Sequence, residues 1–352
     1  MNRVLVVDDE AGMRAALEAH FLRRDWRVDT AANAGEALEK FRRVLHPLVV
    51  TDIRMPGSDG FSVMREARML APHTAVILLT AFANVPDAVT AMKGGACDYV
   101  PKQLSPNSLD IHHIGEGLVA KIKAAAESWH SRDRLALLRK PPRSAVPPTR
   151  EVSHSAPAVI ALGVSTGGPR ALQEMLPTLP ADLPVPILIV QHMPAGFIAP
   201  FAKRLNSLCA VSVCEASHGE VIQPGVVYLA PAGLHMTVSP SSNSRTLISL
   251  SDKMENQVHI PSIDVMMLSV ASAFHSQAMG IIMTGMGSDG AQGMKAIHRE
   301  GGLTVGQDEP SCVVYGMPRV CAEMGILDRV VPLSQIPYEI LQATHYRKAN
   351  VI

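Results

Sequence analysis

Residues 158–168 read AVIALGVSTGG, a stretch that joins an apolar run to a glycine-rich turn. Residues 159–163 are typical of a buried strand in a sheet covered on both faces. The glycines that follow permit a tight turn, and residues 168–176 have the pattern of a helix. Ser165 therefore lies where a predicted strand gives way to a helix, at the sheet edge where α/β proteins build their sites.

The same alternation of strand and helix runs through both halves of the chain. It indicates parallel sheets covered by helices on both faces. In the second half the predicted strands are 159–163, 186–191, 226–230 and 279–284, with helices at 168–176 and 264–274. In the first half the predicted strands are 4–7, 48–51, 75–79 and 98–100, with helices at 13–24 and 34–44.

A segment of different character joins the two halves. Residues 109–129 carry apolar residues at helical spacing, which predicts an amphipathic helix. Residues 131–150 then hold four prolines and six Lys or Arg residues against one Asp. Such a composition favours an extended tether. The sequence thus predicts two doubly wound α/β domains joined by a linker.

The composition is that of a globular chain. Of 352 residues, 47% are hydrophobic and 18% charged, and Lys plus Arg equals Asp plus Glu at 32 each, so we expect no nucleic-acid partner. The apolar runs are too short to insert in a membrane, and MNRVLVVDDE is unlike a signal peptide. The five cysteines form no C-x-x-C pair, which argues against disulfides and zinc and favours a cytoplasmic location.

Charged and hydroxyl residues follow the predicted strands of the first half. Asp8 and Asp9 follow the strand at 4–7, and Asp52 ends the strand at 48–51. Thr80 follows the strand at 75–79, and Lys102 follows the strand at 98–100. Parallel strands deliver such residues to one edge, where three carboxylates call for Mg²⁺ and can accept a phosphoryl group. Asp8 and Asp9 could instead merely cap the first helix. That interpretation does not explain the whole ordered set of motifs, which is DD, D-x-x-M-P-G-x-D-G, L-T-A and Y-V-P-K.

On these motifs, residues 1–125 resemble a response-regulator receiver domain, which has a flavodoxin-like fold. The resemblance implies that Asp52 is the phospho-acceptor. It implies Mg²⁺ ligands at Asp8, Asp9 and Asp52, and switch residues at Thr80, Tyr99 and Lys102. Gln103 stands where the family usually has a proline, and the surrounding motifs look closer to receivers of the nitrogen-regulation type.

Three residues with the chemistry of a hydrolase follow strands of the second half. Ser165 follows the first, His192 follows ILIVQ, and Asp289 lies in TGMGSDG, residues 284–290. A serine hydroxyl needs a base to become a nucleophile. The histidine can take its proton and the aspartate can orient the imidazole, so the pattern predicts a Ser–His–Asp hydrolase in that chain order.

Each of the three residues also has a plainer interpretation. The glycine turn could start a helix or cradle a phosphate, His192 could be a core histidine, and Asp289 could stabilise a turn. The match to G-x-S-x-G of α/β-hydrolases is set aside, because there the acid precedes the histidine. The residues interpreted as structural or peripheral are His218, His235, His259 and Cys312.

Residues 158–345 resemble the catalytic domain of the CheB family, chemotaxis response regulators with protein-glutamate methylesterase activity. Matching blocks include GVSTGGPRAL, IVQHMPAGFIAPFAKRL, HIPSIDVMMLSVA and IIMTGMGSDGAQGM. The resemblance implies a receiver domain at 1–125, a linker at 126–157 and a Rossmann-like methylesterase domain at 158–345.

The resemblance also implies the reaction and its residues. Ser165 would be the nucleophile, His192 the base and Asp289 its orienter, with Thr166 and Met286 near the active site. The substrates would be methyl-accepting chemoreceptors, whose glutamyl methyl esters are hydrolysed and certain glutamines deamidated, without a cofactor for the hydrolase. A CheA-type histidine kinase would phosphorylate the receiver, which in its unmodified state covers the active site.

Two other functional classes compete with this interpretation. In the first, the second domain binds receptors as an adaptor, although a pure binder need not keep all three hydrolase residues. In the second, the chain is a transcription factor, but neither an ATPase module nor a helix-turn-helix pattern follows the linker.

Overall fold

The computed structural model describes residues 3–23, 25–72, 74–80, 98–101, 155–193, 196–240, 245–252 and 259–346, with the backbone alone at 58, 80, 98–101 and 240. The chain divides into two compact units, residues 1–139 and 140–352. Lys102, Gln103, the predicted helix at 109–129 and all but the end of the linker at 126–157 lie outside the described residues.

The first unit contains a five-stranded parallel sheet. Its strands are β1 (Arg3–Val7), β2 (Arg27–Ala31), β3 (Leu48–Asp52), β6 (Ala75–Thr80) and β7 (Asp98–Pro101), and a short hairpin pairs β4 (Arg54–Met55) with β5 (Ser58–Asp59). The described helices are α1 (Ala11–Leu22), α2 (Ala34–Arg43) and α3 (Gly60–Leu70).

The strand order of this sheet is β2-β1-β3-β6-β7. Without the hairpin it is the order 2-1-3-4-5 of a flavodoxin-like fold, with the switch point between β1 and β3. Val4–Val7 and Leu48–Val50 are fully buried, as their unbroken apolar runs predict. The predicted fold of the first half is confirmed.

The second unit contains a seven-stranded parallel sheet and a separate antiparallel hairpin. The sheet strands are β8 (Val159–Val164), β9 (Ile187–Gln191), β10 (Ser212–Glu215), β11 (Val226–Leu229), β14 (Ala278–Ile282), β15 (Leu303–Gln307) and β16 (Arg329–Val331). The hairpin pairs β12 (His235–Pro240) with β13 (Thr246–Ser251). The helices are α4 (Gly168–Met175), α5 (Ile198–Asn206), α6 (Ile263–Phe274), α7 (Ala291–Arg299), α8 (Met317–Glu323) and α9 (Ile336–Ala343), with 3-10 turns at 176–178, 275–277 and 333–335.

The strand order of this second sheet is β10-β11-β9-β8-β14-β15-β16. β8 comes first in the chain, and its neighbours β9 and β14 lie on opposite sides of it. The chain therefore reverses its direction of travel across the sheet at β8, which is the switch point where α/β proteins bind ligands. The Rossmann-like prediction is confirmed.

Both faces of the second sheet are buried. On β8, Ile160, Leu162 and Val164 pack into one hydrophobic cluster, while Val159 and Ala161 pack into the other. Each large aliphatic side chain buried in this way contributes about 1.5–3 kcal/mol. The two layers hold the carboxyl ends of β8, β9 and β14 rigidly at one edge. Among the described helices, none has the length and hydropathy to cross a bilayer.

Candidate active site and phosphorylation site

Three carboxylates meet at the edge of the first sheet. Asp8 and Asp52 are buried and Asp9 is exposed, and each offers an oxygen within 4.8 Å of the others. An oxygen-only set of this size suits Mg²⁺, which retains several waters. Thr80 ends β6 and Tyr99 lies in β7, but their side chains are outside the description, and so is Lys102.

The backbone packs closely around Asp52. Gly60 opens α3, and a Cβ at that position would lie 2.1 Å from the carbonyl oxygen of Asp52. No side chain fits there, so glycine allows α3 to start directly beside the acidic cluster. The amide of Glu10 donates to Oδ1 of Asp8 at 3.0 Å, which fixes that carboxylate.

In the second unit, Ser165 is half-buried in a turn between β8 and α4. The amide of Gly168 donates to the Ser165 carbonyl at 2.8 Å, and Gly167 has φ +82° and ψ −6°. These values define a type II turn, whose third residue needs a positive φ and is therefore glycine. The turn places Ser165 just beyond the end of β8. Thr166, the next residue, is buried.

His192 and Asp289 lie together beside this turn. Nε2 of His192 is 2.8 Å from Oδ2 of Asp289, and the two side chains are 11% and 10% exposed. The histidine follows β9, and the aspartate lies in the loop between β14 and α7. The structure thus brings the predicted base and orienter into contact at the edge that carries Ser165.

Asp289 is also held by the N-terminus of α6. Ser262, the N-cap of that helix, donates its hydroxyl to Oδ1 at 2.8 Å. The amides of Ile263 and Asp264 donate to the same carboxylate at 2.8 and 2.9 Å. A helix N-terminus stabilises negative charge, so the fold supplies this aspartate with a ready anion site.

The ionisation of Asp289 follows from these contacts. Burial alone would raise its pKa, but the hydrogen bond from His192 and the amides of Asp264 and Ile263 outweigh burial and lower the pKa to about 2. The carboxylate is therefore charged at neutral pH.

His259 covers one face of the His192 ring. The two ring centroids are 4.3 Å apart and the planes are inclined by 24°, which is a stacked arrangement. Burial and repulsion from His192 lower the pKa of His259, so it is neutral near pH 7. Interpreted from sequence as structural or peripheral, His259 instead lies at the site.

Met286 is 38% exposed and follows Gly285, whose amide donates to the Val314 carbonyl at 3.0 Å. A Cβ on Gly285 would lie 2.7 Å from the Cβ of Ser165, which places this loop directly against the serine. His235 is buried and its Nδ1 accepts from the Ser262 amide at 3.2 Å, behind Asp289.

Sequence reasoning missed Gln191, Ser262, His259 and Thr284, which surround the three predicted residues. Two of them had a local signal. Gln191 is a polar residue that directly precedes His192 at the end of a buried strand, and Ser262 precedes a helical pattern in the manner of an N-cap.

Fold and site together define a class: a serine-hydrolase-like α/β domain preceded by a flavodoxin-like domain with an acidic cluster. Residues 160–340 match the model of the CheB methylesterase family, and residues 4–112 match the response regulator receiver domain. The chain belongs to the CheB methylesterase family and carries a receiver domain. It is an enzyme of the carboxylic ester hydrolase class.

Several known proteins are similar over nearly the whole chain. A protein-glutamate methylesterase/protein-glutamine glutaminase from Geobacter sulfurreducens is 38% identical over 96% of this chain and 96% of its own length. One from Pyrococcus horikoshii is 37% identical over 97% of this chain and 93% of its own.

A solved structure is similar to the second half of the chain. The crystal structure of the Thermotoga maritima CheB methylesterase catalytic domain covers 53% of this chain and 98% of its own, with 36% identity and a TM-score of 0.52.

Proposed function

We propose that this protein hydrolyses γ-glutamyl methyl esters on chemoreceptors and deamidates certain receptor glutamines. The observation that carries the proposal is the hydrogen bond of 2.8 Å between His192 and Asp289, beside Ser165 at the switch point. The names of the similar proteins support the substrate class. Both substrates present a side-chain acyl carbon, so one nucleophile can serve both reactions.

The proton positions follow from the geometry of His192. A carboxylate only accepts, so the Nε2 that faces Asp289 carries the proton. Nδ1 is then the basic nitrogen, and it is buried without a hydrogen-bond partner among the described residues. This assignment reverses the usual template, in which Nδ1 faces the aspartate and Nε2 faces the serine.

The reaction proceeds in two acyl transfers. Nδ1 of His192 takes the Ser165 proton while Oγ forms a bond to the acyl carbon. The tetrahedral intermediate collapses as Nδ1 returns the proton to the leaving group, which departs as methanol or ammonia. Nδ1 then takes a proton from water, whose oxygen forms a bond to the acyl carbon, and returns that proton to Oγ of Ser165 as the ester bond breaks, which leaves a glutamate on the receptor and restores the enzyme.

The structure narrows the candidates for the oxyanion site. The amide of Ser165 donates to the Thr284 carbonyl at 3.0 Å, so it is not available to the substrate. The amides of Thr166 and Met286 have no acceptor among the described residues. We assign the oxyanion donors to these two amides, each worth about 10²–10³ in kcat.

We propose further that phosphorylation of Asp52 controls this activity, in adaptation of chemosensory signalling. Asp8, Asp9 and Asp52 would hold Mg²⁺, which neutralises charge during phosphoryl transfer from a CheA-type kinase. The phosphoryl group adds about −2 charges, enough to repack a local switch that relieves inhibition by the unmodified receiver. The free thiols of the four described cysteines support a cytoplasmic location.

The test is methanol release from receptor-containing membranes methylated on their glutamates. The wild-type chain should release methanol, and His192→Gln should lower the rate by about 10⁴-fold. The adaptor alternative predicts that the wild-type chain binds these membranes and releases no methanol above the enzyme-free control, which would overturn the proposal.

A further inference from the structure

Gln191 ties the nucleophile and the base together through their backbones. It is 1% exposed, and its Nε2 donates to the Ser165 carbonyl and to the His192 carbonyl, at 3.0 Å each. Its own backbone is the last rung of the ladder between β9 and β8, opposite Val164. The His192 amide still donates to the Val164 carbonyl at 3.1 Å, and beyond that bond the Gln191 side chain makes the connection to Ser165.

Thr284, two residues after the end of β14, makes a similar connection on the other side of β8. It is 1% exposed, its hydroxyl donates to the Thr166 carbonyl at 2.9 Å, and the Val314 amide donates to that hydroxyl at 3.0 Å. Two buried side chains, Gln191 at the end of β9 and Thr284 just after β14, therefore hold the two successive carbonyls of the nucleophile turn.

Peptide geometry converts the direction of a carbonyl into the direction of an amide. In a planar trans peptide the C=O of one residue and the N–H of the next point in opposite directions. The Ser165 carbonyl faces Gln191 and the Gly168 amide, so the Thr166 N–H points away from both. Thr284 fixes the Gly167 N–H in the same manner.

Gln191 occupies its position at a cost to the fold. Its Oε1 is buried with no hydrogen-bond partner among the described residues, which is unfavourable for an amide oxygen. A Cβ on Gly168 would lie 2.0 Å from this oxygen, so the helix start leaves room for it. An apolar side chain would avoid the unpaired acceptor, and conflicts of this kind are typical of functional positions.

We propose that Gln191 and Thr284 are positioning residues of the nucleophile turn. Gln191 aims the Thr166 amide at the developing oxyanion, and Thr284 holds the next peptide plane, so that the residue carrying this amide is fixed on both sides. The inference rests on the proposed function of Ser165. Because the donor acts on the transition state, the two side chains support kcat rather than substrate binding.

The experiment measures kcat and KM for methanol release by full-length variants on methylated receptors. Gln191→Met removes the amide that donates to the Ser165 and His192 carbonyls, at nearly constant volume. Thr284→Val removes the hydroxyl that donates to the Thr166 carbonyl and accepts from the Val314 amide, and Thr284→Ser keeps a hydroxyl. Gln173→Met and Thr304→Val are the matched controls. Gln173 is half-buried and donates to the Pro169 carbonyl within its own helix, and Thr304 is buried and donates to the Ile326 carbonyl. In the described part of the chain neither side chain hydrogen-bonds to Ser165, Thr166 or Gly167. Melting temperatures of all variants are measured in parallel.

We expect Gln191→Met and Thr284→Val to lower kcat by about 10- to 100-fold with KM within twofold, and Thr284→Ser to keep near wild-type kcat. The proposal is overturned if both variants match their controls, if the loss falls in KM, or if Thr284→Ser fails as Thr284→Val does. Ser165→Ala distinguishes failure of this inference from failure of the proposed function. Methanol release by Ser165→Ala overturns the proposed function itself, whatever the other variants do.

Discussion

Replacing Asp289 by Asn tests how the aspartate supports the base. Its two oxygens accept four hydrogen bonds, from His192, the Ser262 hydroxyl, and the amides of Ile263 and Asp264. An asparagine has one oxygen, so in either orientation its NH₂ group meets a backbone N–H. If the asparagine NH₂ faces His192, it donates to Nε2, which must then be the unprotonated nitrogen of the ring. The ring proton moves to Nδ1, and Nδ1 can no longer take the proton of Ser165.

The same substitution removes a charge that stabilises the fold. The pKa of Asp289 falls from its usual 3.8 to about 2, which corresponds to about 2 kcal/mol, and one unpaired amide adds about 1 kcal/mol. The unfolded chain takes up the proton first as the pH falls. The charge contribution is therefore complete above about pH 4 and is lost as the pH falls toward 2.

Two assays check these values. Methanol release by Asp289→Asn should fall by about 10³–10⁴-fold. Its free energy of unfolding in urea at pH 7 should be about 2–3 kcal/mol lower than that of the wild type, and the difference should shrink below pH 4. Asp328→Asn is the control, because Asp328 accepts from the Thr304 amide at 2.8 Å away from the site. Activity above a tenth of wild type, or a pH-independent difference in stability, would refute the reasoning.

Further predictions concern the receiver and the ring stack. Asp52→Asn should abolish phosphorylation by acetyl phosphate on phosphate-affinity gels, and retained labelling would contradict the assignment. Asp8→Asn should weaken Mg²⁺ binding by about tenfold or more in calorimetry, since one of three carboxylates is lost. Deleting residues 1–150 should raise basal methanol release; unchanged or lower release would exclude inhibition by the receiver. His259→Ala should lower kcat by about 2- to 10-fold and His259→Phe should not, because a ring contact contributes about 0.5–1.5 kcal/mol.

Strands buried on both faces could be predicted from the sequence. Residues 159–164, 187–190 and 278–282 are unbroken apolar runs, because helices cover the sheet on each side. In the two parallel sheets β2, β10, β15 and β16 were missed, whereas the edge strand β7 was predicted. β15 is fully buried, but Thr304, Gly306 and Gln307 interrupt its apolar run. β2 and β10 have polar residues exposed to solvent, so their composition resembles a loop.

The ends of the strands were less predictable than their centres. β14 was expected to reach Thr284 but ends at Ile282. The Thr284 amide donates to the side chain of Gln307 on β15 at 2.9 Å instead of to a backbone carbonyl. Since that glutamine is distant in the sequence, no local pattern could have shown where the ladder stops.

The serine, histidine and aspartate of the candidate site could be predicted from the sequence, but the residues that hold them in place could not. Ser165, His192 and Asp289 were identified because parallel strands deliver their following residues to one edge. Ser262 and His259 approach from the loop before α6, which lies more than 25 residues from Asp289 in sequence. Only the packing of α6 against the sheet brings them there. For Lys102 and the side chains of Thr80 and Tyr99, the predicted roles stay predictions.

The most direct test of the central claim is the activity of Ser165→Ala on both proposed substrates in the same preparation. Methanol from methylated glutamates and ammonia from receptor glutamines would be measured side by side, with Ser207→Ala as an exposed-serine control. A single nucleophile predicts that both rates fall by about 10⁴-fold or more in Ser165→Ala, while Ser207→Ala behaves as wild type. Substantial release of either product by Ser165→Ala would contradict the account.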